Sequence, residues 1–200
     1  MKRRSFFQMG FSRVLESAIR TADNTAQERA SHWFRPPFAV RELDFLLGCT
    51  RCDRCIQACP PQILFPLPIR LGPNVVGTPA MDLLNKGCLL CADWPCVAAC
   101  EPQVLLREAD QMGRPVLPKL SKVVIDTTLC LPFSGPECGA CGSVCPIPGA
   151  LVMQGGLRPH IIAEHCTGCA LCRAACPTTP KAIHVITLSV PPEKTCAESV

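Results

Sequence analysis

Cysteine spacing limits this chain more than any other feature. Sixteen cysteines fall in four groups that open at Cys49, Cys88, Cys130 and Cys166, about forty residues apart. Each group closes on a similar phrase: Cys59-Pro-Pro-Gln-Ile-Leu, Cys100-Glu-Pro-Gln-Val-Leu, Cys145-Pro-Ile-Pro-Gly-Ala-Leu-Val and Cys176-Pro-Thr-Thr-Pro-Lys-Ala-Ile. The groups read as copies of one element, so the chain is a set of small repeated units rather than one large core. Composition agrees. The sequence is 48% hydrophobic only because its 17 cysteines are counted in, and it holds two Trp, no Tyr and 21 Pro in 200 residues.

The first group, Cys49-x2-Cys52-x2-Cys55-x3-Cys59, and the fourth, Cys166-x2-Cys169-x2-Cys172-x3-Cys176, share one spacing and a following proline. This is the spacing with which one loop wraps three thiolates round a [4Fe-4S] cubane while the fourth cysteine serves the other cluster of a pair. The third group, Cys130-x7-Cys138-x2-Cys141-x3-Cys145, keeps the last three positions and lengthens the first gap with a Pro- and Gly-containing loop. The second, Cys88-x2-Cys91-x4-Cys96-x3-Cys100, adds two residues in the middle and puts Glu101 where the others have proline. Four [4Fe-4S] clusters on these sixteen cysteines are expected. A zinc ribbon needs two knuckles per site and has no use for the Cys-Pro ending. Four parallel sets of closely spaced cysteines make a poor disulfide framework, and thiol redox catalysis would call for a βαβ pattern that is absent. Cys196 lies outside the groups, and His32, His160, His165 and His184 receive no role.

Four groups imply two pairs, each exchanging its fourth cysteines. Consecutive pairing puts Cys49, Cys52, Cys55 and Cys100 on one cluster and Cys88, Cys91, Cys96 and Cys59 on the next. Likewise Cys130, Cys138, Cys141 and Cys176 hold a third, and Cys166, Cys169, Cys172 and Cys145 the fourth. Nested pairing, first group with fourth and second with third, is the alternative. The expected fold is α+β, built of small cluster-dependent bacterial ferredoxin-like modules: two dicluster units with short hairpins and short helices. Val97-Ala98-Ala99 reads as a helical turn, Ile183–Leu188 as a strand, and Gly155-Gly156 as the turn of a hairpin. The divisions are an N-terminal amphipathic helix and linker over 1–35, modules over 36–115 and 116–190, and a flexible tail over 191–200.

Before the first cysteine, Phe7, Phe11, Val14, Leu15, Ala18 and Ile19 recur at helical spacing, with Arg13, Glu16 and Arg20 opposite. Such a helix packs on the protein's own body or offers residues 5–20 to a partner or to peripheral membrane contact. Thr21–Ser31 is polar and reads as a linker. Lys2-Arg3-Arg4-Ser5-Phe6-Phe7 is similar to a twin-arginine motif, but Arg13, Glu16 and Arg20 interrupt the apolar run that an export signal requires. A cytoplasmic location is therefore expected, with export by a degenerate twin-arginine signal as the alternative. The formal net charge of +4 has no aromatic-interleaved basic patch behind it, which argues against a nucleic-acid partner. A cubane with four cysteine ligands has no open coordination position, so the expectation is an electron carrier or accessory protein, not an enzyme.

Phe34-Arg35-Pro36-Pro37, Phe45-Leu46 and Cys49-Thr50-Arg51-Cys52-Asp53-x-Cys55-Ile56-x-Ala58-Cys59 together resemble the NapF-type polyferredoxins associated with periplasmic nitrate reductase. The long first gap of the third group is similar too. The second group, Cys88-Leu-Leu-Cys91-Ala-Asp-Trp-Pro-Cys96, looks more like the MauM and NapG types, whose members carry twin-arginine signals. The resemblance implies an iron-sulfur electron-transfer protein serving a periplasmic nitrate reductase-type system, with a redox protein as partner. Its alternative implication is a cytoplasmic maturation factor for the catalytic subunit of a molybdenum-containing reductase. The MauM- and NapG-like features imply electron transfer from quinol or during methylamine dehydrogenase production.

Overall fold

The computed structural model describes residues 3–107, 109, 112–113 and 116–188, with side chains in the first helix from Glu16 onward. Phe7, Phe11, Val14 and Leu15, the tail over 191–200 and Cys196 lie outside that description. Among the described residues the fold is α+β, made of one long N-terminal helix, a set of short helices and three two-stranded antiparallel sheets.

Both halves of the chain follow one plan. In the second half, β-branched residues form a strand at Lys122–Ile125 just before the third cysteine group and another at Ile183–Ile186 after the fourth; the two pair antiparallel, Val123 opposite Val185. Between these groups Leu151–Gln154 and Arg158–Ile161 form a hairpin that turns at Gly155 and Gly156, both at positive φ. The first half repeats this in reduced form. Leu64–Pro66 pairs with Pro79–Met81 between its two groups, and Ala39, ahead of the first group, bridges Leu105 behind the second. The repeated phrase has a conformational meaning here. Gln62 and Gln103, each three residues past a closing cysteine, are both left-handed, with φ of 48° and 54°. Their N–H groups donate to the Cys59 and Cys100 carbonyls at 3.0 and 3.2 Å. One sequence phrase thus makes one turn twice.

The N-terminal helix α1 spans Arg3–Ala30 without a break, so Thr21–Ser31 is helical, apart from its last residue, rather than a linker. Its polarity misleads because Ala, Gln, Glu and Arg are good helix formers, and Thr21 and Thr25 donate their hydroxyls back to the carbonyls of Ser17 and Thr21, both at 2.9 Å. Asp23, Ala26, Gln27 and Ala30 form the covered stripe, while residues 16–22 are exposed, including Ala18 and a half-exposed Ile19. The helix therefore rests on α2 (Glu42–Gly48) through its second half, where Asp23 also approaches Arg41 at 3.6 Å. The apolar positions Ala18 and Ile19 do not pack on the body.

A buried cluster fastens the segment between α1 and the first cysteine. Arg35 donates to both carboxylate oxygens of Glu42, at 2.8 and 2.5 Å, and to Thr78 Oγ1 and the Pro79 carbonyl, each at 2.9 Å. Its guanidinium also lies over the Trp33 and Phe45 rings. The main core then gathers Phe45, Ile63, Leu83, Trp94 and Val104 from the first half with Ala170 and Val185 from the second, so the two halves share one interior.

Candidate metal centres

Four cysteine-lined cavities stand inside this frame. Cys49, Cys52, Cys55 and Cys100 line the first, and Cys59, Cys88, Cys91 and Cys96 the second. Cys130, Cys138, Cys141 and Cys176 line the third, and Cys145, Cys166, Cys169 and Cys172 the fourth. Each cavity takes three cysteines from one group and the closing cysteine of its neighbour. None of the four joins the first group with the fourth, or the second with the third.

Local backbone geometry aims the thiols inward. In the first, second and fourth groups, a left-handed residue precedes the second cysteine and another opens the helical turn that carries the third: Arg51 and Asp53, Leu90 and Trp94, Gly168 and Ala170. The turns are α3 (Arg54–Gln57), α4 (Pro95–Ala98) and α7 (Leu171–Ala175), bearing Cys55, Cys96 and Cys172. In the third group α6 (Ala140–Ser143) bears Cys141. A left-handed non-glycine residue costs on the order of 1–3 kcal/mol, so this conformation must be held by its surroundings. Winding the loop this way brings the backbone N–H groups of Arg54, Leu90 and Leu171 against the sulfurs of Cys52, Cys88 and Cys169, where they favour thiolate.

Burial works in the opposite direction. Desolvation, reinforced by neighbouring cysteines, pushes the Cys55, Cys96 and Cys172 thiols up to about 12 and Cys88 to about 11. Cys130, Cys141 and Cys169 are raised for the same leading reason. At Cys176 desolvation is the largest single influence, yet hydrogen bonds from Thr178 and Ala182 and the Lys181 ammonium outweigh it and bring the thiol down. Exposed Cys52 is also lowered, chiefly by the Arg54 N–H and then by Thr50. Four crowded thiols with apolar walls suit a cationic, polynuclear group that binds thiolates and accepts N–H donors at its sulfurs. Among the described residues, no three His, Cys, Asp or Glu side chains come close enough to share one mononuclear ion.

The two irregular groups now have physical explanations. The two residues added to the second group place Trp94 in the core, edge-on to Phe38 at 4.9 Å and 84°. Glu101, which stands in place of proline, pairs with Arg54 at the start of α3 and ties the second group to the first. In the third group the long gap folds into a helical turn, α5 (Leu131–Ser134), whose Phe133 lies under Arg158. His165 is exposed, its Nδ1 3.3 Å from the Gly149 carbonyl oxygen. Sequence reasoning missed the pair of His184 and Asp126 at 3.7 Å, because a strand register rather than a spacing brings them together.

No protein-family model matches the chain. Individual relatives do. The methylamine utilization ferredoxin-type protein MauM of Methylobacillus flagellatus is 36% identical over 76% of this chain and 67% of its own length. The ferredoxin-type protein NapG of Haemophilus influenzae is 33% identical over 78% of this chain, which spans 59% of that protein. NapG of Escherichia coli is 31% identical over 95% of this chain and 91% of its own length. NapF of the same organism is 32% identical over 76% and 84%. The cysteine frame and these identities lead to one conclusion: the chain belongs to the ferredoxin-type proteins of the NapF, NapG and MauM kind.

Proposed function

We propose that this protein is an electron carrier holding four [4Fe-4S] clusters on its sixteen grouped cysteines, in two dicluster units over 36–115 and 116–190, and that it serves a periplasmic nitrate reductase-type system. The observation that carries the reading is the lining of the four cavities, each with three cysteines of one group and the closing cysteine of the next. A [4Fe-4S] cluster supplies reversible one-electron storage in such a site. The chain's own contribution is to hold the thiolates, to direct backbone N–H groups at them, and to exclude water with Phe45, Val104 and their counterparts. With four cysteines on each cluster, no coordination position on a cluster is left for a substrate, which supports a carrier role. The NapG and NapF relatives support a redox partner in a nitrate reductase system.

Iron and sulfide analysis of anaerobically purified protein tests this. About sixteen irons per chain, four for each four-cysteine site, with equal sulfide, are expected. Zinc without sulfide would sink the reading.

A maturation factor for a molybdenum-containing catalytic subunit is the second reading. What favours it is α1, whose residues 16–22 stand clear of the body and present Ile19 to a partner or membrane surface. Deleting residues 1–20 should then abolish partner binding and leave cluster content and reduction by a donor intact. Loss of reduction with partner binding retained would favour the simple carrier.

A further inference from the structure

We propose that the four cavities stand in the spatial order first, second, fourth, third, and that electrons cross between the halves of the molecule where the Cys88 and Cys169 loops touch, held together by Gly87. The proposal rests on the electron-carrier reading above and adds to it a route and two ends.

Within the first half, α3 with Cys55 packs against α4 with Cys96, which makes the first and second cavities neighbours. Within the second half, α6 with Cys141 packs against α7 with Cys172, which makes neighbours of the third and fourth. The junction between halves then decides the order. There the N–H of Cys88 donates to the carbonyl of Cys169 at 2.8 Å. One residue earlier, Gly87 lies flat against α7: a Cβ at this position would be 2.7 Å from Leu171 Cδ2 and 2.8 Å from its Cα and N. Backbone atoms cannot step aside as a side-chain tip can, so only glycine allows this approach. On the other side Arg173, between Cys172 and Cys176, donates its Nε to the Leu84 carbonyl at 2.8 Å. Its Nη1 donates to the Ile183 carbonyl, so the clamp is anchored in its own half.

Cys88 belongs to the second cavity and Cys169 to the fourth. From one sulfur to the other the path follows covalent bonds through each residue and crosses a single hydrogen bond. The chain order would have put the second site beside the third; the fold puts it beside the fourth. The first and third sites become the two ends, and a donor and an acceptor exchange electrons with the protein at those opposite ends.

The test is anaerobic EPR of the holoprotein during stepwise reduction, in the unaltered chain and in variants that each remove one site. Cys172→Ser, which disables the fourth site, should remove the part of the second site's magnetic broadening that comes from the other half and leave the part that comes from the first site, and Cys141→Ser, which disables the third, should leave both. Gly87→Val should lose the part that comes from the other half while iron, sulfide and the coupling inside each half stay unchanged. Gly139→Ala, at a position open to solvent, serves as control. Broadening of the second site by the third, or full coupling retained in Gly87→Val, overturns the order while leaving the carrier reading standing. Zinc in place of iron and sulfide overturns both.

Discussion

At the residue scale the cysteines carry a conflict that metal resolves. Burial holds Cys55, Cys96 and Cys172 near 12, so in the metal-free fold they are neutral thiols at ordinary pH. A thiol raised in this way adds stability to the metal-free fold below its unfolded pKa of about 8.5, and that stability is lost as pH climbs toward the folded value. Metal-bound protein behaves oppositely. With these cysteines as the proposed ligands, each gives up its proton on binding, so falling pH favours the free thiol and loss of the cluster. Anaerobic bleaching of the thiolate-to-iron absorbance should be clearly faster at about pH 5 than at about pH 8; equal rates would contradict the ligand assignment. Arg35 offers a second residue-scale prediction. Its removal leaves the Glu42 carboxylate, 3% exposed, without its partner. Arg35→Ala should therefore cost about 3–5 kcal/mol in denaturant unfolding of the loaded protein. The exposed Arg54–Glu101 pair is different, and Glu101→Ala should cost less than about 1 kcal/mol.

At the element scale, side-chain volume and backbone handedness decide. Ala26 is the point where α1 meets the body, so Ala26→Leu should destabilise by about 1–3 kcal/mol through overpacking. Ile19→Ala, half exposed, should stay within about 0.5 kcal/mol by the same unfolding measurement. Gly168 is the tighter constraint. Its φ is +74° and a Cβ there would meet the Ser121 carbonyl oxygen at 2.1 Å. Gly168→Ala should therefore cost at least about 2 kcal/mol and lower the iron content by about one cluster, read by metal analysis. Much at this scale was legible in the chain. The helical turn expected at Val97–Ala99 forms as Pro95–Ala98, the strand expected over Ile183–Leu188 forms but ends at Ile186, and the Gly155-Gly156 hairpin forms as its composition suggests. The continuation of α1 through Thr21–Ala30 was not. Polar residues on a helix that covers only a narrow stripe of the body look the same in sequence as a linker.

At the scale of the whole molecule, the interior is shared between cysteines and a thin apolar core. The largest buried cluster mixes Cys55, Cys59, Cys88, Cys96 and Cys169 with its hydrophobic residues. Removing metal should therefore remove much of what holds the halves together, and chelated, reduced protein should lose its cooperative thermal transition. A sharp calorimetric transition in metal-free protein would show that the apolar core suffices. The repeat, the sixteen grouped cysteines and the type of element round each group are all legible in the chain, because they depend on spacing and on contacts between near neighbours. Packing between distant segments accounts for the rest. It chose which closing cysteine joins which cavity, explained Glu101 through Arg54, and brought Cys88 to Cys169 across the two halves. Those contacts join residues far apart in the chain, and no local spacing records the packing that brings them together.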